Sequence, residues 1–434
     1  SGTSMAFARS LQTFLVNNDL GRGMLGITAL AVLSILCRAL LSLLPRGTAE
    51  VVAPAVVYGL VGMALCLYGA LRTFGRVETY LGTGEDLKRV HSQMPTAQRA
   101  PHPPLWAFGG NLQFFPWILY NMLSSKAFPL VYEHTALTVV GLQDKTQPES
   151  AENPRCMEDE VIVNYFPPIS KSESRRSGCF LADDAPVIIV EPGLTCTAQD
   201  IPGSSFLRRA VSRGFRVVVI ERRGHARALR SPRWNLFGDS DDSEQIIRAV
   251  QEKTGTAAMF WIGFSSGSKL PIEAVGKYDE RRKNGDKTAP KFLATACIAP
   301  GYNLETCFHG FKFPYTWLCL SSTKSRFLLE NEQILRAHDA DAFEKAVNAT
   351  DLQELLSHVA PFAGYSSDKE YFAHENPVLF APFIETPTLI INAMDDPLTV
   401  PSNAFGKMPG RDDGLTFADM VRNSTCGLLL MAPS

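Results

Sequence analysis

A serine between two glycines is the strongest chemical signal in this sequence. The stretch Phe260 to Leu270 is FWIGFSSGSKL, and within it Gly263 to Gly267 matches the pattern G-x-S-x-G. An apolar β-type run precedes the motif and helix-forming residues follow it, which is typical of a sharp strand-to-helix turn that exposes a serine oxygen. Ser265 is therefore predicted to be a nucleophile, and an ordinary glycine-rich turn is the alternative.

A nucleophilic serine needs backbone N–H groups that bind the oxyanion of the tetrahedral intermediate. The stretch Pro192 to Thr195 (PGLT) follows the apolar run PVIIVE, which places it at the same edge of a parallel sheet as Ser265. The N–H groups of Leu194 and Ser266 are predicted to form this oxyanion hole. A plain β-turn is the alternative interpretation of PGLT.

An acidic residue at the end of a later strand would orient the catalytic base. Residues 387–401 (PTLIINAMDDPLTVP) supply a strand followed by two aspartates. Asp396 precedes Pro397 in a loop from which its side chain can turn toward the helix of the nucleophile, and Asp395 is the second candidate. The alternative is that both aspartates only shape a turn.

The base is expected to be a histidine after the last strand, because the chain order around such a serine turn is serine, acid, histidine. All eight histidines precede Asp396, and the last of them is His374. His225, in ERRGHARAL, falls at the same edge of the sheet and is interpreted as structural or pocket-lining. The apolar run 427–431 is interpreted as the final strand, so a histidine beyond Ser434 is expected, and with it a chain that is a fragment.

Composition and charge exclude some classes of protein. The chain has 434 residues, 45% of them hydrophobic, which is enough for a large core and more than one ordinary domain. The formal net charge is −2 and no basic stripe is interleaved with aromatics, so nucleic acid is not expected as a partner. The nine cysteines are scattered without a CxxC pair, which fits neither a disulfide framework nor a zinc site. No metal or organic cofactor is implied.

Two apolar runs near the N-terminus have the length of membrane-spanning helices. Residues 24–44 carry one charge, Arg38, and residues 51–71 carry none. Runs of about 20 apolar residues are long enough to cross a bilayer. Basic residues flank the outer ends of this hairpin, which predicts that the large downstream domain is cytosolic. Buried core helices, or a signal peptide for the first run, are the alternatives.

The chain is predicted to consist of a membrane hairpin (residues 1–75), a linker (76–104) and an α/β domain (105–434). In the α/β domain, short β-branched runs alternate with amphipathic stretches from Ala185 onward, a pattern that predicts a mostly parallel sheet. The predicted strands are 186–190, 215–220, 259–262, 292–298, 388–392 and 427–431.

Three segments of the α/β domain depart from this alternation. Residues 144–160 and 170–184 are polar without apolar periodicity and are predicted to be loops. Residues 302–375 are mostly helical in pattern and rich in aromatics. We expect this insertion to form a cap over the site.

Together these motifs resemble the α/β-hydrolase fold. The narrower resemblance is to membrane-anchored α/β-hydrolase-domain proteins related to yeast medium-chain fatty acid ester synthases, and it covers roughly residues 100 to 434. It depends on four further stretches: PPLWAFGGNLQ (103–113), PGLTCTAQDIPGSSFLRRAVSRGFRVVVIERRGH (192–225), LRSPRWNLFGDSDD (229–242) and PTLIINAMDDP (387–397).

The resemblance implies ester chemistry on lipids. The expected protein is a membrane-bound serine esterase or lipase that hydrolyses a lipid ester or transfers its acyl group, with a lipid ester and a membrane as partners. The family's histidine does not occur after Asp396, which is a departure from the pattern. An inactive α/β-hydrolase that binds lipid or a protein is therefore the competing hypothesis.

Overall fold

The computed structural model describes residues 78–94, 130–170, 180–200, 204–256, 258–309, 311, 313–393, 396, 398, 416–424 and 427–432. These residues form a nine-stranded sheet with helices on both faces. Its strands are β1 (Glu78–Leu81), β2 (Glu133–Leu142), β3 (Arg155–Phe166), β4 (Val187–Glu191), β5 (Arg216–Glu221), β6 (Met259–Phe264), β7 (Ala294–Ile298), β8 (Thr388–Ala393) and β9 (Gly427–Ala432).

The strand order across the sheet is β1-β9-β8-β7-β6-β4-β5-β3-β2. Strands β4 to β9 are parallel to one another, whereas β1 pairs with β9, β3 with β5 and β2 with β3 in antiparallel fashion. Parallel strands end at one edge of a sheet, and ligands of open α/β sheets bind there. The segments that follow β4, β6 and β8 therefore meet at the carboxyl edge.

The helices lie between the strands in the order expected of βαβ units. They are α1 (Glu85–Ser92), α2 (Ser204–Ser212), α3 (Ser240–Thr254), α4 (Lys269–Lys283), α5 (Tyr315–Thr323), α6 (Glu332–His338), α7 (Ala340–Asn348), α8 (Leu352–His358), α9 (Ala360–Ala363), α10 (Asp368–Glu375) and α11 (Phe417–Asn423). Shorter 3₁₀ segments are Ala198–Asp200, Ser265–Ser268, Leu329–Asn331, Pro377–Leu379 and Ala381–Phe383, and Lys324–Leu328 is π-helical.

The central strands are apolar on both faces because helices cover both. Ile246 of α3 and Leu270 of α4 belong to the same buried cluster as Ile189. On the other face, Leu207 of α2 belongs to the same cluster as Val190. Successive side chains of a strand point to opposite faces, so β4 needs an unbroken apolar run, VIIV, ahead of its last residue.

A helical insertion between β7 and β8 corresponds to the cap expected at about 302–375. Helices α5 to α10 occupy it, beginning at Tyr315 and ending at Glu375. Its buried core includes Phe327, Phe343 and Phe362, which pack with Trp234 from the loop after β5. The insertion is thus packed directly on a loop of the carboxyl edge.

The mostly parallel sheet is confirmed, and two segments differ from the sequence-based expectations. Residues 155–160 were expected to be part of a loop but belong to β3, which with β2 forms a long antiparallel hairpin. Residues 78–92 were expected to be part of a linker but form β1 and α1. The reason is that β1 is only four residues long and its partner, β9, is more than 340 residues away in the chain, so no local pattern shows it.

The predicted membrane hairpin lies outside the described residues. Among the helices that the structure describes, none combines the length and the apolar composition that a membrane crossing requires. The hairpin at residues 24–71 therefore stays a prediction.

Candidate active site

The strand-to-helix turn around Ser265 is present in the structure. Strand β6 ends at Phe264, and Ser265 has a φ of +52°, in the left-handed region that is energetically costly for a residue with a side chain. Ser265 is exposed, whereas Ser266, Gly267 and Ser268 are buried in the 3₁₀ turn that leads into α4. The strained turn presents a single hydroxyl at the carboxyl edge.

Both glycines of the motif are required by close approach of the backbone. A Cβ at Gly263 would lie 2.4 Å from the Cα of Ser268. A Cβ at Gly267 would lie 2.4 Å from the carbonyl oxygen of Pro192. Because real Cβ atoms do not approach other atoms so closely, these two positions tolerate no side chain, and the turn packs against the segment that follows β4.

The PGLT loop lies against the serine. A Cβ built on Gly193 would be 3.5 Å from the Cβ of Ser265. The backbone N–H of Cys196 donates to the carbonyl oxygen of Gly193 over 3.3 Å, so the loop is a tight turn. The half-buried Leu194 packs against the cap core. The structure thus brings together Ser265, Ser266 and the loop that carries Leu194, three of the residues that the sequence singles out.

Asp396 lies in the loop after β8, at the same edge of the sheet. Its Oδ1 accepts a hydrogen bond from the N–H of Leu398 over 2.8 Å, and the side chain is half-buried. Burial and then the Asp396 carboxylate raise the pKa of Tyr315 in α5, which places the carboxylate near the cap. The second candidate, Asp395, lies outside the described residues.

Two histidines have defined side-chain contacts near the sheet, and neither contact is with Ser265: Nδ1 of His134 lies 2.5 Å from Oδ1 of Asn164, and His225 contacts Arg222. His225 is buried, with Nε2 3.1 Å from Nη2 of Arg222 and Nδ1 3.3 Å from the carbonyl oxygen of Arg223. Burial, followed by the charge of Arg222, holds the pKa of His225 well below its usual range. A neutral, buried imidazole of this kind fits the structural role expected for it.

The sequence-based reasoning missed Glu191, the last residue of β4. Its side chain is 0% exposed, and its carboxyl oxygens accept no hydrogen bond within the part of the chain that the structure describes. Burial raises the pKa of Glu191 to about 8, with the charge of Arg222 opposing the shift. A glutamate at the end of the apolar run VIIV was the available signal.

A clamp from the cap also escaped prediction. Arg326, in the π-helical segment after α5, donates through Nη1 to the carbonyl oxygen of Thr195 over 2.6 Å and through Nη2 to that of His225 over 3.0 Å. Ser322 of α5 lies 3.4 Å from the hydroxyl of Thr195. The cap is therefore bonded directly to the loop beside the serine.

A buried charge network joins the cap to the helix of the nucleophile. Glu375 of α10 accepts hydrogen bonds from Lys145 over 2.7 Å and from Tyr365 over 2.6 Å, and it also pairs with Lys269 of α4. Lys145 pairs in addition with Asp239 over 2.9 Å. Burial alone would raise the pKa of Glu375, but Lys145 and Lys269 outweigh it and hold that pKa well below the usual range.

No metal centre is apparent in this region. Within the described ranges, the His, Cys, Asp and Glu side chains include no group of three or more that could hold a metal ion. The chemistry that the arrangement can support is nucleophilic attack by an exposed serine in a strained conformation, beside the tight turn at Gly193.

Comparison with known proteins finds relatives that are similar in sequence. The chain is 26% identical to the Homo sapiens protein named phospholipase ABHD3 over 333 residues, which cover 74% of this chain and 72% of that protein. It is 24% identical to the Homo sapiens protein named monoacylglycerol lipase ABHD2, over 50% of this chain and 53% of that protein. The Bos taurus protein named phospholipase ABHD3 is matched over 53% of its length, about half. No family model matches the chain.

Among solved structures, an α/β-hydrolase enzyme from a Medee basin deep-sea metagenome library is similar at a TM-score of 0.36 and 14% identity, over 63% of this chain and 86% of that one. The strand order and the named relatives confirm the resemblance to α/β-hydrolase-domain proteins. The narrower relation to yeast ester synthases stays a prediction.

Proposed function

We propose that this protein is a serine esterase that acts on lipid esters. The observation that carries the proposal is the geometry of Ser265, which is exposed at a φ of +52° at the end of β6 with Gly193 of the PGLT loop beside it. Such a turn presents the nucleophile of the α/β-hydrolase fold. The names phospholipase and monoacylglycerol lipase, given to relatives, support a lipid ester as the substrate class.

The proposed reaction has two steps. The Ser265 oxygen attacks the ester carbonyl carbon while a histidine takes its proton, and the oxyanion is bound by the N–H groups of Leu194 and Ser266. The bond to the leaving alcohol then breaks, and the alcohol takes the proton from the histidine. Water or a second alcohol next attacks the acyl carbon while the histidine takes its proton, the ester bond to Ser265 breaks, and the Ser265 oxygen takes the proton back, so hydrolysis and acyl transfer share one mechanism.

Asp396 is proposed to orient the histidine. All eight histidines precede Asp396 in the sequence, and His134 and His225 contact Asn164 and Arg222 respectively. A membrane anchor at residues 24–71 is part of the proposal, and alkaline carbonate extraction tests it: the protein is expected to stay with the lipid, and release into the soluble fraction would refute the anchor.

Release of fatty acid tests the function. The full-length protein is incubated with vesicles of monoacylglycerol or phosphatidylcholine, beside Ser265→Ala and the surface variant Ser212→Ala. We expect fatty acid release from at least one lipid by the wild type and by Ser212→Ala, and background release by Ser265→Ala. Equal release by Ser265→Ala and the wild type would refute the proposal. Binding of vesicles without release of fatty acid would favour the competing hypothesis, an inactive α/β-hydrolase that binds lipid.

A further inference from the structure

Arg222 lies directly behind the loop that faces Ser265. It follows β5 and is 6% exposed. Its Nη2 donates to the carbonyl oxygens of Pro192 over 3.2 Å and of Gly193 over 3.1 Å, and its Nη1 donates to that of Phe237 over 3.2 Å. A single guanidinium thus holds two consecutive peptide groups of the PGLT loop.

Holding these carbonyls fixes the direction of the N–H groups on the other side of each peptide bond. A trans peptide is planar, so its C=O and N–H point in opposite directions. The carbonyl of Gly193 faces Arg222, and the N–H of Leu194 in the same peptide group therefore faces away from Arg222. A rotation of that peptide would break the bonds from Arg222 and from the N–H of Cys196 at once.

The positive charge of Arg222 also favours oxyanion binding by the N–H of Leu194. A hydrogen bond from a cation to a carbonyl polarises the peptide and makes its N–H a better donor. The groups that face Arg222 do little to cancel this charge at neutral pH: His225 has a lowered pKa and is neutral, and Glu191 has a pKa of about 8 because it is buried. The guanidinium is therefore a net positive charge on the carbonyl side of the peptide group whose other side is the N–H of Leu194.

We propose that Arg222 is a positioning residue of the oxyanion site, which holds the carbonyls of Pro192 and Gly193 so that the N–H of Leu194 is aimed and polarised toward an oxygen bound beside Ser265. This inference rests on the proposed esterase function. A merely structural arginine would lower stability alone, whereas a positioning arginine lowers turnover in a protein that is still folded.

The chain offers a matched control at the other end of the same strand. Arg216 is also buried, at 2% exposure, and donates to two backbone carbonyls, those of Pro167 and Ala182, over 3.1 Å each. It lies at the amino end of β5, away from the loop at Gly193. Arg222→Met therefore removes three guanidinium-to-carbonyl bonds at the carboxyl edge of the sheet, and Arg216→Met removes two bonds of the same kind at the amino edge.

The experiment measures kcat, KM, thermal stability and amide hydrogen exchange for the full-length wild type, Arg222→Met, Arg222→Lys and Arg216→Met with a soluble short-chain ester. For Arg222→Met we expect kcat to fall about 10-fold to 100-fold, because loss of one oxyanion donor costs up to 10³-fold, with little change in KM. Arg222→Lys should recover part of kcat, and Arg216→Met should lose stability alone. Exchange should rise in residues 192–196 of Arg222→Met and not of Arg216→Met.

Equal kcat losses in Arg222→Met and Arg216→Met, or unchanged exchange in residues 192–196, would overturn the proposal. Arg222→Lys keeps the test open if Arg222→Met fails to fold, since its loop exchange and kcat can be compared with those of Arg216→Met. If the wild type turns over no ester, the proposed function fails separately, and the exchange data still decide whether Arg222 holds the loop.

Discussion

The serine turn and the cap contact are built by different kinds of interaction. At the turn, backbone meets backbone: Gly263 and Gly267 leave no room for a Cβ, and Ser265 takes a left-handed conformation. At the cap contact, buried charged side chains meet, with Lys269 and Glu375 at the centre. Steric exclusion therefore sets the position of the nucleophile, whereas charge pairing attaches the cap to α4.

Removing a charge from the buried network around Lys269 and Glu375 should lower the free energy of unfolding more than a change at the serine turn. Lys269→Met leaves Glu273 and Glu375 buried without this cation, and breaking a buried ion pair from one side costs about 3–5 kcal/mol. Lys277→Met is the matched control, because Lys277 pairs with Glu273 but its side chain is 29% exposed, and a loss of about 1 kcal/mol or less is expected. Urea unfolding measures both, and equal losses would contradict the ranking of the two sites.

The steric region should respond to a single methyl group. Gly267→Ala places a Cβ 2.4 Å from the carbonyl oxygen of Pro192, and overpacking of this kind costs about 1–3 kcal/mol together with activity. Gly255→Ala is the control: it has open space but a φ of +63°, so it loses about 1–2 kcal/mol through conformation alone. Thermal unfolding and ester turnover distinguish them. Full turnover in Gly267→Ala would show that the contact with β4 is not tight.

Glu191, the residue that ends β4, should make the stability of the folded protein depend on pH. Its pKa in the folded state, about 8, is above the ordinary value of 4.5, so the stability that it contributes is fully present below pH 4.5 and is lost as the pH rises through 8. Glu191→Gln removes this dependence without changing shape. We expect the variant to match the wild type in free energy of unfolding below pH 4.5 and to exceed it above pH 8 by a few kcal/mol. A constant difference across this range would contradict the assignment.

Arg326 bonds the cap to the loop beside the serine, and its removal should give the smallest loss of stability. Arg326→Gln removes two charge-assisted hydrogen bonds from a half-buried side chain, to Thr195 and His225, which is expected to cost about 1–2 kcal/mol. Arg336→Gln is the control: its side chain is 41% exposed and pairs with glutamates that are 50% exposed, so a loss of about 1 kcal/mol or less is expected. Amide exchange at residues 192–196 would show whether the cap steadies the loop. If amide exchange at these residues does not increase in Arg326→Gln, Arg326 stabilises the cap but not the loop.

The same comparison explains what the sequence can predict. The serine turn and the six central strands follow local rules, a fixed motif and short apolar runs, and they were found within a few residues of their observed bounds. Strand β1 could not be predicted, because its four residues form a strand only through pairing with β9, which is distant in the sequence. The polar composition of 155–160 hid the start of β3, whose exposed end carries charged side chains.

The charge network was beyond prediction for the same reason. Lys145, Asp239, Lys269 and Glu375 come from four distant segments and have no fixed spacing. Each looks like a solvated surface residue in the sequence, and only the packing of the cap on α4 buries them together. Glu191 and Arg222 were missed likewise, although a glutamate that ends a buried apolar strand could have been questioned on the cost of burying its charge.

The central claim is that Ser265 is a nucleophile activated by its turn, and covalent labelling tests it most directly. The full-length protein, Ser265→Ala and the surface control Ser212→Ala are treated with a fluorophosphonate probe, and the modified residue is located by peptide mass spectrometry. The account predicts one adduct, on Ser265, in the wild type and in Ser212→Ala, and none in Ser265→Ala. An adduct on another residue, or labelling of Ser265→Ala at the wild-type rate, would contradict it.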